Sequence, residues 1–224
     1  MHMCENSAAS PTDEATLRRD VVPRCPVKHR LGRTPPHSLS DGTLTLRLPT
    51  AEDRDRAAHY AADPALLDGV WLPGPSPGED RDVWAARLID ELCAGWTTVG
   101  GLHGGAFIID ERQPFVGIVY VIPRAETTIE LAYGVAPPAR GRGIAARATR
   151  LVADWALTDG GWAQVELRIG SSHTASRRVA EHAGFRCTEH FLTYVEATGE
   201  TYDDVLYVRR REHHVDQASG RATA

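Results

Sequence analysis

Glu130-Leu131-Ala132-Tyr133-Gly134-Val135-Ala136-Pro137-Pro138-Ala139-Arg140-Gly141-Arg142-Gly143-Ile144-Ala145 runs directly into Ala146-Arg147-Ala148-Thr149-Arg150-Leu151-Val152-Ala153-Asp154-Trp155. An apolar strand pattern stops at Pro137-Pro138, because proline has no N–H to extend a sheet ladder. A Gly/Arg turn follows, and then apolar residues recur at helical spacing. A strand that feeds a glycine turn and opens a helix is suited to an anion. The first N–H groups of a helix lack internal acceptors, and its dipole puts about half a positive charge there. Gly141 and Gly143 leave the main chain open to close approach, and Ala145 keeps the next amide unobstructed.

Around this stretch the chain has 224 residues, enough for one domain with a sizeable core plus tails. A hydrophobic content of 42% fits a globular body, and the net charge of −5 argues against general nucleic-acid binding. Lys28 is the single lysine, so the predicted domain has neither a P-loop lysine nor a Schiff-base lysine. Cys4, Cys25, Cys93 and Cys187 lack paired spacing and read as free thiols in a reducing compartment. No apolar run approaches the ~20 residues that span a bilayer. The N-terminus carries no hydrophobic signal segment, so a cytoplasmic protein without a membrane partner is expected.

Residues 1–40 are polar, locally basic and interrupted by prolines, and read as a flexible tail. Thr43 to Leu48 alternates as a first strand, and Thr50 starts a helix with acids in its first turn that runs to about Ala62. An irregular stretch over 64–78 precedes a helix from Glu79 to Ala94. Ala106–Ile109 and Phe115–Ile122 read as a hairpin, and Ile129–Val135 as the next strand. A helix from Arg142 to Thr158 stops at Gly160-Gly161, followed by a strand over Gln164–Ile169 and a short helix over Thr174–Ala183. Phe185–Glu196 and Thr201–Arg210 close the domain as a hairpin, and 212–224 reads as a second flexible tail.

Arg140-x-x-Gly143-x-Ala145, after a strand and before an amphipathic helix, resembles the Q/R-x-x-G-x-G/A acyl-CoA signature of the GNAT N-acetyltransferases. His173-Thr174-Ala175-Ser176-Arg177-Arg178-Val179-Ala180-Glu181-His182-Ala183-Gly184-Phe185 resembles the N-x-x-S-x-x-V-x-E-x-x-G-F stretch of the same family. That form is typical of the branch containing the ribosomal-protein alanine N-acetyltransferases. The resemblance covers roughly residues 41–211. It implies an α/β (α+β) fold with a mixed, mostly antiparallel sheet flanked by helices on both faces. The order implied is β-α-α-β-β-β-α-β-α-β-β.

The resemblance also implies acetyl-CoA (coenzyme A) as cofactor. Its pantetheine arm would bond Tyr133, Val135 and Ala136 where the strand parts from its neighbour. Its pyrophosphate would lie on the amides of Arg140, Gly141, Arg142, Gly143, Ile144 and Ala145, with Arg140 and Arg142 adding charge. An amine acceptor is mostly protonated at pH 7, so a base must take a proton. Glu130 matches a glutamate of this branch and is the expected base, with Asp110, Glu166 and His103 as weaker candidates. Ser176 matches the serine that lies near the cofactor sulfur and is the expected catalytic group on the thiolate side. His173 stands where the family has an asparagine that bonds pantetheine or nearby backbone. Ala180 replaces the tyrosine acid common elsewhere in the family, leaving Tyr133 or Tyr194 as alternatives.

Two other motifs fail on chemistry. Gly74-Pro75-Ser76-Pro77-Gly78 spells a nucleophile elbow, but Pro77 lacks the oxyanion-hole N–H. Cys187-x-x-His190 lacks two further ligands at zinc spacing, and His213-His214 falls in the tail, so no metal is expected. The acceptor groove that the resemblance implies holds Asp68, Trp71, Glu79, Asp80, Asp82, Asp203 and Asp204, which suit a cation. A small-molecule amine and a protein N-terminal α-amine both remain open as acceptor, as does a homodimer. A non-catalytic acyl-CoA-binding module would need Arg140, Gly143 and Ala145 but neither Glu130 nor Ser176. An RNA-associated factor using the basic tail is a third reading.

Overall fold

The computed structural model describes residues 18–22, 34–60, 78–95, 104–195 and 199–211. Its strands are β1 (Arg18–Val22), β2 (Ser38–Ser40), β3 (Thr45–Arg47), β4 (Gly105–Glu111), β5 (Gln113–Ala125), β6 (Thr128–Val135), β7 (Gln164–Gly170), β8 (Arg186–Val195) and β9 (Glu200–Arg210). Its α-helices are α1 (Arg54–Tyr60), α2 (Arg81–Gly95), α3 (Ile144–Leu157) and α4 (Thr174–His182). The strands form one nine-stranded sheet in the order β1-β8-β9-β7-β6-β5-β4-β3-β2. Only β1/β8 and β6/β7 are parallel among the described pairs. From β3 onward the element order is the one expected. Among the described residues no helix is long and apolar enough to cross a membrane.

Helices cover both faces. On one face α3 presents Ile144, Ala148, Val152 and Trp155, a stripe at helical spacing, to Val119, Val121, Ile129, Leu131, Val165 and Leu167. Trp155 meets Phe107 edge-on at 5.7 Å and Trp162 at 5.5 Å. The helix ends where Gly160 N–H bonds the Trp155 carbonyl and Gly161 takes φ of 72°. On the other face α1 and α2 press Ala57, Trp84, Leu88 and Ile89 onto Ala106, Ile108 and Ile118. The central strands are thus buried on both sides, which is why β4 and β5 read as apolar runs rather than clean alternation.

The first helical turn is locked by a buried ion pair. Asp53 is 0% exposed and accepts two bonds from the Arg47 guanidinium at 2.7 and 2.8 Å, and one from Thr50 N–H at 2.9 Å. Burial pushes its carboxyl up, but the Arg47 and Thr50 hydrogen bonds prevail and the pKa is lowered. The folded pKa lies below the unfolded ~3.9, so this stabilisation is present above that pH and is lost as pH falls through the folded value. Asp53→Ala is expected to cost about 3 kcal/mol. That is the low end for breaking a buried pair, because Arg47 keeps its 2.7 Å contact with Asp110. Urea denaturation at pH 7 and pH 3 measures it, and the difference between variant and parent should shrink at pH 3.

Several expectations need correction. Part of the 1–40 stretch belongs to the sheet: β1 adds to the β8 edge in parallel register, Arg18 against Phe191, and β2 pairs β3. Arg-Arg-Asp-Val-Val has no alternation to announce a strand, and a ladder partner far along the chain supplies the bonds. Cys187 is disulfide-bonded and Cys93 is free, so the expectation of four free thiols fails. A pairing made by tertiary approach leaves no trace in spacing. The end of the first helix beyond Tyr60, the 61–77 stretch with Asp68, Trp71 and Ser76, His103, and the 212–224 tail lie outside the described residues.

Candidate active site

β6 and β7 pair over three residues only, ending at Glu130 beside Glu166. Beyond that point both strands continue, but with other partners. β6 follows β5 as far as Val135, and β7 follows β9 as far as Gly170. A wedge-shaped gap therefore opens between Leu131–Val135 and Leu167–Gly170. Gly117 helps draw β6 aside, since a Cβ there would stand 2.5 Å from the Gly134 carbonyl oxygen. Pro137 and Pro138 then turn the chain out of the sheet in a 3-10 turn.

Main-chain groups line this gap. Ala136 N–H bonds Val116 O on β5 at 2.9 Å. Strand alternation therefore turns the groups of Val135 and Tyr133 the other way, into the gap. Ala136, expected as a third partner there, has its N–H spent on Val116 and its carbonyl on Ala139 N–H. Its role is to shape the turn. The Val135 carbonyl accepts from Arg140 Nε at 2.9 Å, so the Arg140 guanidinium clamps the strand end as well as facing solvent.

The turn before α3 carries a row of uncommitted donors. Arg140 N–H closes onto Pro137 O at 3.2 Å, which removes it from the expected set. Among the described residues no acceptor meets the amides from Gly141 to Ala146, and Arg147 N–H is the first bonded, to Gly143 O. Gly143 is the N-cap with φ of 72° and ψ of 7°, a left-handed conformation that glycine adopts without strain, and no side chain caps the helix. Six amides at one helix N-terminus, with open space where a Cβ of Gly141 or Gly143 would be, fit a doubly charged phosphate group. Ile144 is buried and anchors the turn to the core, while Ala145 is half-buried. Arg142 is ion-paired with Glu111 on β4, so part of its expected charge is neutralised at home.

Across the gap, Tyr133 packs on the α3 core and its hydroxyl donates to the Ser176 carbonyl at 3.2 Å. Burial pushes its pKa up to about 12, opposed by the Ser176 side chain, so it stays protonated at neutral pH. Ser176 is half-buried in the first turn of α4, and His173 is the exposed N-cap without a side-chain cap bond. Tyr133 and Ser176 thus come together at the gap, whereas Tyr194 is 38% exposed on β8.

Glu130 sits at the apex, on the face covered by α1 and α2, and is 0% exposed. Its Oε2 is 2.6 Å from Arg124 Nε and 3.1 Å from Arg168 Nε. Glu166 lies next to it, with Gln164 Nε2 donating at 2.6 Å, so two carboxylates and two guanidiniums form a buried, balanced set. Sequence reading missed both arginines, because their pairing depends on the register of three strands. Burial raises the Glu130 pKa and outweighs the two arginines. Asp110, on β4, is tied to Arg47 and to Phe115 N–H, with β5 and β6 between it and the gap. A separate groove of about 720 Å3 is lined by Asp154, Arg186 and Arg209.

A family model for the acetyltransferase (GNAT) domain matches residues 43–186. Among curated proteins no sequence matches the chain. Solved structures share the fold. A GNAT-family acetyltransferase from Bacillus anthracis aligns with a TM-score of 0.65 at 15% identity, over 78% of this chain and 98% of that one. RimJ of Mycobacterium smegmatis, in complex with CoA-disulfide, aligns at 0.62 with 24% identity, over 77% and 85%. The ribosomal-protein-S5-alanine acetyltransferase of Vibrio fischeri aligns at 0.63 with 18% identity, over 79% and 97%.

Proposed function

The chain belongs to the GNAT acetyltransferase family, whose cofactor is acetyl-CoA, and on that premise we propose that it acetylates a primary amine by direct transfer in a ternary complex. The acceptor is a small-molecule amine or a protein N-terminal α-amine. Acetyl-CoA supplies an activated acetyl thioester; the chain's residues bind, orient and move protons around it. The observation that carries the reading is the coincidence of three features: parted strands, six open amides beside them, and a buried carboxylate at the apex of the gap.

In this reading the amides from Gly141 to Ala146 hold the pyrophosphate, and Arg140 adds charge at the rim. Tyr133 and Val135 offer main-chain bonds to the extended arm in the manner of an added strand. Glu130 accepts a proton from the acceptor's ammonium, which leaves a neutral amine able to attack. Its raised pKa suits that task, and the arginine pair holds the carboxylate in one orientation. On the thiol side the Tyr133 hydroxyl, a neutral donor to the Ser176 carbonyl, is one candidate proton source, and the Ser176 hydroxyl is the other. His173, exposed at the α4 N-cap, is the remaining candidate contact to the arm.

The test is thiol release from acetyl-CoA against a panel of amines and peptides, with mass analysis of the product. A product heavier by one acetyl group on nitrogen is expected. CoA binding without thiol release across the panel would replace transfer by an acyl-CoA-binding module.

A further inference from the structure

Tyr120 lies on β5, opposite Ala132 of β6, and Ile122 lies opposite Glu130. Paired residues share a face, so Tyr120 and Glu130 point the same way as diagonal neighbours, roughly 7–8 Å apart and within reach of long side chains. That face is the one under α1, where Tyr120 packs against the cluster that contains Tyr60. The Tyr120 hydroxyl and Glu130 Oε1 are both buried without a hydrogen-bond partner among the described residues. The other Glu130 oxygen takes the contacts from Arg124 and Arg168. Buried polar groups are nearly always satisfied, and two unsatisfied ones at diagonal positions of adjacent strands mark a place for a polar guest.

We propose that the Tyr120 hydroxyl and Glu130 Oε1 together form the acceptor-amine subsite, with Tyr120 a positioning residue that accepts a hydrogen bond from the amine nitrogen. The ammonium has three N–H donors, so one goes to Tyr120 while another is transferred to Glu130 Oε1. R–NH3+ and the carboxylate become R–NH2 and the carboxylic acid; the proton moves and no electron is gained or lost. Burial, and the nearby Tyr60, keep the Tyr120 phenol neutral, so it serves as an acceptor with a lone pair rather than as a second base. The groups facing this subsite are Arg124 from β5, Arg168 and Glu166 from β7, and Tyr60 from α1. This inference rests on Glu130 as the proton acceptor.

Tyr120→Phe tests it in the full chain, with a short alanine-initiated peptide and spermidine as acceptor probes. The expected result is a roughly tenfold fall in kcat/KM for the probe that turns over, carried by the acceptor KM, with CoA affinity unchanged. The melting temperature should hold or rise, because an unpartnered hydroxyl has been removed. Unchanged acceptor kinetics would overturn the proposal. A lowered melting temperature would overturn it too, by showing that the hydroxyl is a structural bond, and that readout applies even where neither probe turns over. Full turnover in a Glu130→Gln variant would instead sink the base assignment, which separates the two failures.

Discussion

Gly143→Glu is expected to weaken CoA binding more than a hundredfold while leaving a folded protein. Among the described residues no atom beyond its own chain neighbours lies within 4 Å of the position a Cβ would take, so the new side chain enters open space in front of the amide row. Its carboxylate would compete for the amides and repel the diphosphate. Charge-assisted hydrogen bonds are worth about 1.5–3 kcal/mol each, so losing two exceeds the ~2.8 kcal/mol of a hundredfold change. The positive φ adds strain of about 1–2 kcal/mol at the helix entry. Gly143→Ala separates the two effects, because it carries the strain without the charge, and should lose about tenfold or less. Titration calorimetry with CoA reads the affinity and circular dichroism reads the fold. Parental affinity in the Glu variant would dismiss the turn as a phosphate site.

Glu130→Gln is expected to lower kcat/KM by roughly 10²–10⁴, the usual range for a lost general base. The substitution keeps shape but removes one anion from the set with Arg124, Arg168 and Glu166. Because burial raises the Glu130 pKa, the parent's rate should climb as pH rises through that pKa, where the carboxylate becomes free to accept a proton. In the Gln variant that limb should disappear. CoA affinity should stay near the parent's, which also checks that leaving two guanidiniums with one carboxylate has not collapsed the site. A variant that keeps the acidic limb would mean another group titrates there.

The two predictions differ in how far ahead of the structure they could be made. The Gly/Arg turn is a local object: its glycines, its prolines and the helical stripe after it are consecutive, so their meaning survives without a fold. The same holds for the order of elements from β3 onward, which follows from period-two and period-3.6 spacing. Even there, the ends of the motif were misread. Arg140 N–H and both main-chain groups of Ala136 are consumed by a 3-10 turn whose bonds no residue type announces.

The apex of the gap is a different case. Glu130 was legible as a strand glutamate, but Arg124 and Arg168 reach it only because three strands settle in one register. A shift of one residue would send each of them to the opposite face. Residues 18–22 give the same lesson from the edge: a segment with no pattern of its own becomes β1 because β8 offers it free bonds. What neighbours along the chain can specify is the anion-gripping turn and the succession of strands and helices. The buried carboxylate of Glu130 with its paired arginines comes from groups on three strands, and burial between packed layers is what gives their charges force.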